Sequence, residues 1–551
     1  MKSKDVLMHK HGDLALLTLI IVIAISLSYA SFYGPSQYSS DAPSYVDYAT
    51  AIFSHNASSI AFDGVLGQKY VLNFGIALFY LLFGISALSS SLFGELCFIG
   101  TIILVFELGK KLSNSSGGLL SAFCFAIMPL AVTNAALVGD DIPMAFIAML
   151  SVYAFYSAIK SSSRKRSVIY SVSAGFFMMI GFLITAEVII VFVPIFFIWL
   201  YSCFKTRQNL VSRVLPFPSF IAGIALAIVL IMLWNGAFGV NPLLQFKSDS
   251  NWYNQTVWYV FNPGYIYPIY AATLFPVYTP SAGTGITSGF LGYFLPRFSN
   301  RLPQPYDTFS YVWFVYLALM AAIVSILIKK SNIILPSFLF ASIMLYLIFG
   351  TMSISHYVFI PPFSRYTLLV APAIALMVGV GYSNIFDRLK TKKKRNPNKR
   401  KNKHPNYSKK AIIIKVVFMA LLILVALQSL YATYFIGASE HASFYPFKEA
   451  VSFLAHKTNV NLIETNNIIQ LGVYLYPKKI TYFNTEYPSC SMIPNNTYVI
   501  SVTNSTFQKD CGLNIAAGPF TIPKSMQKFN LLMYDGIENS YADGSVTIYS
   551  R

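Results

Sequence analysis

Three stretches of this chain place ionisable or phenolic side chains beside prolines at spacings that could support chemistry. In "SSDAPSYVDYATAIF", residues 39–53, Asp41 stands before Pro43, and Asp41, Tyr45 and Tyr48 follow at i, i+4 and i+7. Those offsets share one face of a helix. The Ser-Ser-Asp-x-Pro start marks a helix N-terminus, so Asp41 reads either as a cap or as a carboxylate kept ionised by the helix end and able to take a proton. The second stretch, "GDDIPMAFIAMLSVYAFY", repeats the pattern with Asp140 and Asp141 ahead of Pro143. Capping accounts for one of these acids more easily than for both, and two adjacent carboxylates at the edge of lipid need a partner or water.

The third stretch, "SISHYVFIPPFSRYTLLVAPAIAL", carries His356, Arg365 and Tyr366, with Arg365 at the start of a hydrophobic run. An arginine there can snorkel to the interface, or its planar fork can hold a phosphate at headgroup depth. In the aromatic and proline-rich region 235–308, Arg297 and Arg301 are open to the same two readings. Its Trp and Tyr residues suit semi-embedded helices at the interface. Walker A, GxGxxG, HExxH, paired CxxC and nucleophile-elbow patterns are absent, which leaves soluble nucleotide chemistry without support.

The elements that must position these residues are membrane helices. The chain has 551 residues, of which 55% are hydrophobic, 16% aromatic and only 11% charged, a composition outside the soluble globular range. Runs near the length needed to cross a bilayer fall at 14–31, 91–109, 118–135, 142–159, 168–184, 187–203, 214–234, 309–328, 332–351, 366–386 and 411–436. The fold class expected is therefore a polytopic α-helical membrane protein with about eleven transmembrane helices. The first run reads as an uncleaved signal anchor. Residues 437–551 lose this character; "FKEAVSFLAHKT" reads as a helix, and "VNLIETNN", "KKITYFN", "NTYVISVTN" and "SVTIYS" read as strands of a small α/β domain.

Charge sets the orientation. If the apolar stretch 71–88 does not span, the basic clusters at 110–111, 160–166, 205–213, 329–330 and 387–410 share the cytoplasmic side, together with Lys2, Lys4, Lys10 and Lys415. The region 31–70, the turn at Asp140, the region 235–308 and the tail then lie outside, and so do 16 of the 21 acids. The net charge of +19 thus belongs to a positive-inside pattern and anionic lipid headgroups rather than to nucleic acid, for which no binding motif is present. Cys97, Cys124 and Cys203 lie in hydrophobic segments; Cys490 and Cys511 share the tail, where a disulfide and two free thiols are equally open. Sequons at Asn495 and Asn504 fit an exterior tail.

In their order along the chain, the three stretches resemble the GT-C glycosyltransferases of the protein O-mannosyltransferase and aminoarabinose-transferase type. The resemblance covers residues 10–436, read as one transmembrane module of residues 1–436, and implies a GT-C fold with its site at the extracytoplasmic face. It implies transfer of a sugar from a polyprenyl phosphate to a protein, lipid or glycan acceptor, with inversion. Asp41 falls on the family's catalytic base. Asp140 and Asp141, with Tyr45 and Tyr48, fall on the acceptor and sugar site, and Arg365, Tyr366, His356, Arg297 and Arg301 on the donor phosphate side. No cofactor is required, although the paired acids admit a divalent metal. The chain departs from the family in having Ala42 where a second acid is usual, and Glu187 near the place where many aminoarabinose-type relatives carry a lysine. The "WWDYG" signature of oligosaccharyltransferases is absent. A polytopic transporter or lipid flippase is the alternative; it would call for internal repeats and broken midplane helices, neither of which is evident.

Overall fold

The computed structural model describes residues 2–31, 42–54, 67–205, 213–237, 241–244, 312–349, 364–389, 409–457, 461–465, 480–483, 490, 493–501, 511–526 and 546–550. The described parts of all eleven expected segments are mainly helical. In chain order the helices are α1 (Lys2–Ala30), α2 (Ala42–Phe53), α3 (Tyr70–Phe83), α4 (Ala87–Leu112), α5 (Ser115–Ala126), α6 (Pro129–Ala136), α7 (Asp141–Lys160), α8 (Arg164–Phe182) and α9 (Phe192–Lys205). They continue with α10 (Pro216–Ala237), α11 (Val312–Leu327), α12 (Ile334–Phe349), α13 (Ala371–Leu389) and α14 (Lys409–Ala455). Short 3-10 turns, Ala186–Val191, Ser331–Ile333 and Ser364–Leu369, precede α9, α12 and α13.

Among the described residues, 8 helices are long and apolar enough to cross a membrane. The expected span 118–135 is instead two helices, α5 and α6, bent by 61°. The bend falls before Pro129, whose ring cannot continue the helix that precedes it. The segment 168–184 starts as α8 on Arg164, Lys165 and Arg166, which shortens its apolar stretch. Helix α11 has 16 residues, about 24 Å of rise, and α3 has 14, about 21 Å. Both fall short of a hydrocarbon core of about 30 Å. For α3 this agrees with a stretch that does not span.

Helix α13 is the axis of the bundle, with 94% of its apolar window buried. Lipid gives helices no hydrophobic reason to associate, so they pack where small residues let backbones approach. A Cβ on Gly175 of α8 would lie 1.9 Å from the Phe220 carbonyl oxygen of α10, and one on Gly223 of α10 would lie 2.1 Å from the Val172 carbonyl oxygen of α8. The two glycines interlock one crossing. A similar approach joins α5 to α13, where a Cβ on Gly379 would meet Gly117 O at 2.3 Å. Hydrogen bonds secure the same end of the bundle: Asn114 Nδ2 donates to Ser383 Oγ at 2.6 Å, and Asn332 Nδ2 to Asn384 Oδ1 at 2.9 Å.

The tail holds a five-stranded sheet of order β2-β1-β3-β5-β4, from β1 (Asn461–Thr465), β2 (Ile480–Phe483), β3 (Thr497–Ser501), β4 (Asn514–Phe520) and β5 (Val546–Ser550). β1 runs parallel to β2 and β3, and β5 is antiparallel to β3 and β4. Four of these are the strands expected from the sequence; β4, "NIAAGPF", has too little alternation to be read as one. Cys490 and Cys511 are bridged. Helix α14 is continuous through the expected boundary at 436, and its Phe447, Ala450 and Leu454 pack with Leu462, Ile500 and Ile548 of the sheet.

The α8–α10 crossing yields a test. Gly223→Val should force the two backbones apart at a cost of about 1–3 kcal/mol, and thermal unfolding of the detergent-purified protein should show the loss. Gly236→Val on the same helix, where a Cβ meets nothing within 4 Å, should leave the melting temperature nearly unchanged.

Candidate functional site

Helix α2 buries Ala42, Val46 and Ala49, which repeat at helical spacing, while Asp47 is exposed. Tyr45 and Tyr48 lie toward the segment 67–69. The ring of Tyr48 packs on Gly67, where a Cβ would approach its Cζ to 2.8 Å. Tyr45 is fully buried, and its hydroxyl accepts a hydrogen bond of 2.9 Å from Lys69 Nζ. The same ammonium lies 5.3 Å from the centroid of the Tyr45 ring.

Lys69 immediately precedes α3, and its second partner comes from far along the chain. Asp140, at the N-cap position of α7, makes no side-chain cap. Its carboxylate instead pairs with Lys69 Nζ. Both side chains are only 14% exposed. The cluster therefore joins α2, the entry to α3 and the N-terminus of α7 through two side-chain contacts from one ammonium.

Burial is the largest single influence and works against the charge on Lys69, but the charge of Asp140, Tyr45 and the hydrogen bonds to both together outweigh it, and the ammonium is held well above the ordinary lysine range. Lys69 thus keeps its charge, and the N-terminal end of α7 adds a favourable field for negative charge at its first residues. Asp141 is itself buried in the first turn of α7. Of the two acids, one holds a lysine and the other lies at the helix end behind it, so neither is a simple solvated cap.

Of the residues singled out from the sequence, Tyr45, Tyr48 and Asp140 are brought together, with Asp141 adjacent in the chain. Arg365 and Tyr366 fall in the 3-10 turn Ser364–Leu369, which packs against α6 and α7; their side chains lie outside the description. Asp41, His356, Arg297 and Arg301 lie outside the described residues. Glu187 is buried in the 3-10 turn before α9. Lys69 was not anticipated from the sequence. The signal was available: it is one of the few basic residues that the positive-inside pattern leaves outside, just before an apolar helix. Among the described residues no three His, Cys, Asp or Glu side chains converge in a way that could hold a metal.

A further link braces the site. Tyr70, the first residue of α3, hydrogen-bonds from its hydroxyl to Asn235 Oδ1 of α10 at 3.4 Å, and Asn235 Nδ2 donates to Pro242 O at 3.1 Å. At the far end of α3, Tyr80 and Ser90 share a hydrogen bond of 2.7 Å, and burial pushes the Tyr80 phenol well up.

The ion pair predicts that a pH dependence appears when its carboxylate is removed. In the wild type a raised Lys69 pKa gives stability that is full below the unfolded value of about 10.4, so this group contributes no slope between pH 6 and 9. In Asp140→Ala burial is no longer opposed by the carboxylate. The ammonium should then cost about 3–5 kcal/mol near neutral pH. Its pKa should fall below the unfolded value, and stability should rise from pH 6 to pH 9. Thermal unfolding at the two pH values reads both effects.

Set beside known proteins, residues 70–234 match the family described as dolichyl-phosphate-mannose-protein mannosyltransferase. That match runs from α3 to α10 and includes Asp140 and Asp141. In three dimensions the chain is similar to ArnT from Cupriavidus metallidurans in the apo state and bound to undecaprenyl phosphate. In each comparison the TM-score is 0.53 at 12% identity, covering 96% of this chain and 97% of that one. An oligosaccharyltransferase from Archaeoglobus fulgidus in its apo form gives a TM-score of 0.49 at 12% identity, over 89% of this chain and 69% of that one. No curated protein matches in sequence. The chain is therefore a polytopic membrane protein with the fold of ArnT, and its residues 70–234 match the dolichyl-phosphate-mannose-protein mannosyltransferase family model.

Proposed function

We propose that this protein is an integral membrane glycosyltransferase that moves a sugar from a polyprenyl phosphate to an acceptor hydroxyl on a protein, lipid or glycan at the extracytoplasmic face. The observation that carries the proposal is the largely buried Tyr45–Lys69–Asp140 cluster at the acid-rich ends of α2, α3 and α7, in a chain with the fold of ArnT. The undecaprenyl phosphate named for the similar ArnT structure supports a lipid-linked phosphate as the leaving group.

In this reading Asp41, directly ahead of α2, takes the proton of the acceptor hydroxyl. The oxygen attacks the anomeric carbon from the face opposite the phosphate, and the carbon–oxygen bond to the phosphate breaks with its electrons passing to the phosphate oxygen. Inversion follows. The departing phosphate gains negative charge and needs fixed positive charge more than a proton. Arg365 at the head of α13's 3-10 turn supplies it, with Tyr366 next to it in sequence, His356 nine residues before it, and Arg297 and Arg301 from the region 235–308. Lys69 adds a charge of the same sign. Its ammonium has three N–H donors, and Tyr45 and Asp140 take two of them, leaving one for a phosphate oxygen. Asp141 and Tyr48 face the acceptor and sugar.

Asp41→Asn should lower transfer from a radiolabelled polyprenyl-phosphate sugar by at least about a hundredfold, the scale of a lost general base, with the melting temperature preserved. Full activity would remove Asp41 from the reaction. Arg365→Ala should weaken donor binding more than acceptor binding, and the opposite order would remove the phosphate role. Lipid mass spectrometry of the purified wild type should detect a bound polyprenyl phosphate.

A further inference from the structure

Helix α7 has 20 residues, so its two ends are about 30 Å apart. Asp140 marks one end. The other closes on Lys160, at the side that the charge pattern assigns to the cytoplasm. There a cavity of about 1010 Å³ lies between α7, α8, α9 and α12, half open to the surroundings. Nothing in the transfer reading uses it.

Three cations line this cavity, Lys111, Lys160 and Arg166, and no carboxylate does. Lys111 is held in place: its Nζ donates to Ser157 Oγ at 2.7 Å and lies 3.9 Å above the Tyr153 ring. Lys160 Nζ lies 5.6 Å from the Tyr156 ring centroid. None of the three is ion-paired to a carboxylate among the described residues. Three like charges around one half-enclosed volume repel one another until an anion joins them.

The remaining wall is apolar and leads outward. Phe197, Tyr201 and Phe204 of α9 line the cavity, and they are 42%, 41% and 84% exposed on the helix surface. In a bundle embedded in lipid, that surface meets acyl chains. A soluble anion would use the cations and leave this track idle. A phospholipid uses both, with its phosphate among the ammonium and guanidinium groups and its chains along α9.

We propose that this cavity is a binding site for an anionic phospholipid headgroup of the leaflet opposite to the candidate active site. The test is native mass spectrometry of the full-length protein titrated with phosphatidylglycerol or phosphatidylcholine. Wild type should retain phosphatidylglycerol in preference to phosphatidylcholine. Each cation near a membrane surface is worth about fivefold in affinity, so Lys160→Ala with Arg166→Ala should reduce that retention on the order of 25-fold. Both side chains are exposed, and an unchanged melting temperature would show that the variant is folded. The control pair Lys329→Ala with Lys415→Ala removes two cations assigned to the same side that do not line the cavity, and should change retention little. Equal retention by wild type and the cavity variant overturns the proposal. So does an equal loss in the control, which would reveal only general attraction to the basic face. Displacement of the lipid by millimolar inorganic phosphate would overturn it too, since a soluble anion would then suffice.

Discussion

A lysine ammonium removed from water must find negative charge, and at the α2–α3–α7 junction that requirement fixes the geometry of three separate chain segments. Lys69 is satisfied only if Asp140 arrives from the end of α6 and Tyr45 from α2. Since Asp140 gives its carboxylate to this pair, the α7 N-terminus forgoes a side-chain cap, and Asp141 is carried into a buried position beside it. The proposed chemistry inherits a floor in which charges are already paired and oriented, so little rearrangement is needed when charge moves in the reaction.

Behind that floor the bundle is held by approach rather than by bulk. Gly175 and Gly223 interlock α8 with α10, and Gly117 and Gly379 bring α5 onto α13. The hydrogen bonds Asn114–Ser383 and Asn332–Asn384 tie the same end as that α5–α13 approach. The outward faces carry large apolar side chains such as Leu81, Leu233 and Leu424, which lipid accommodates without a partner. Close backbone contact is what confers specificity on an assembly whose solvent is as apolar as its side chains.

Much of this was legible in sequence because membrane helices announce themselves by length and the absence of charge. The described parts of the eleven segments are mainly helical, and α2 buries Ala42, Val46 and Ala49 as their spacing implies. What sequence could not give was the third dimension of single residues. Asp140 has the position of a cap and the partner of a distant lysine, and a contact between residues 69 and 140 leaves no local pattern. The break between α5 and α6 was obscured by composition, because hydropathy counts apolar residues and does not register the direction of the chain at Pro129. Strand β4 escaped for the related reason that two alanines and a glycine carry little alternation.

Helix α14 joins the membrane to the tail as one rod of 47 residues, about 70 Å of rise. Its apolar span ends at Tyr434, and its Phe447 begins the contact with the sheet. Between them stands Pro446, which has no N–H to return to the preceding turn and whose ring crowds the carbonyl there. The rod thus lacks one rung of its hydrogen-bond ladder, at Pro446 just below the sheet. A load on the tail would be taken up first at that rung, before it reached the span that ends at Tyr434.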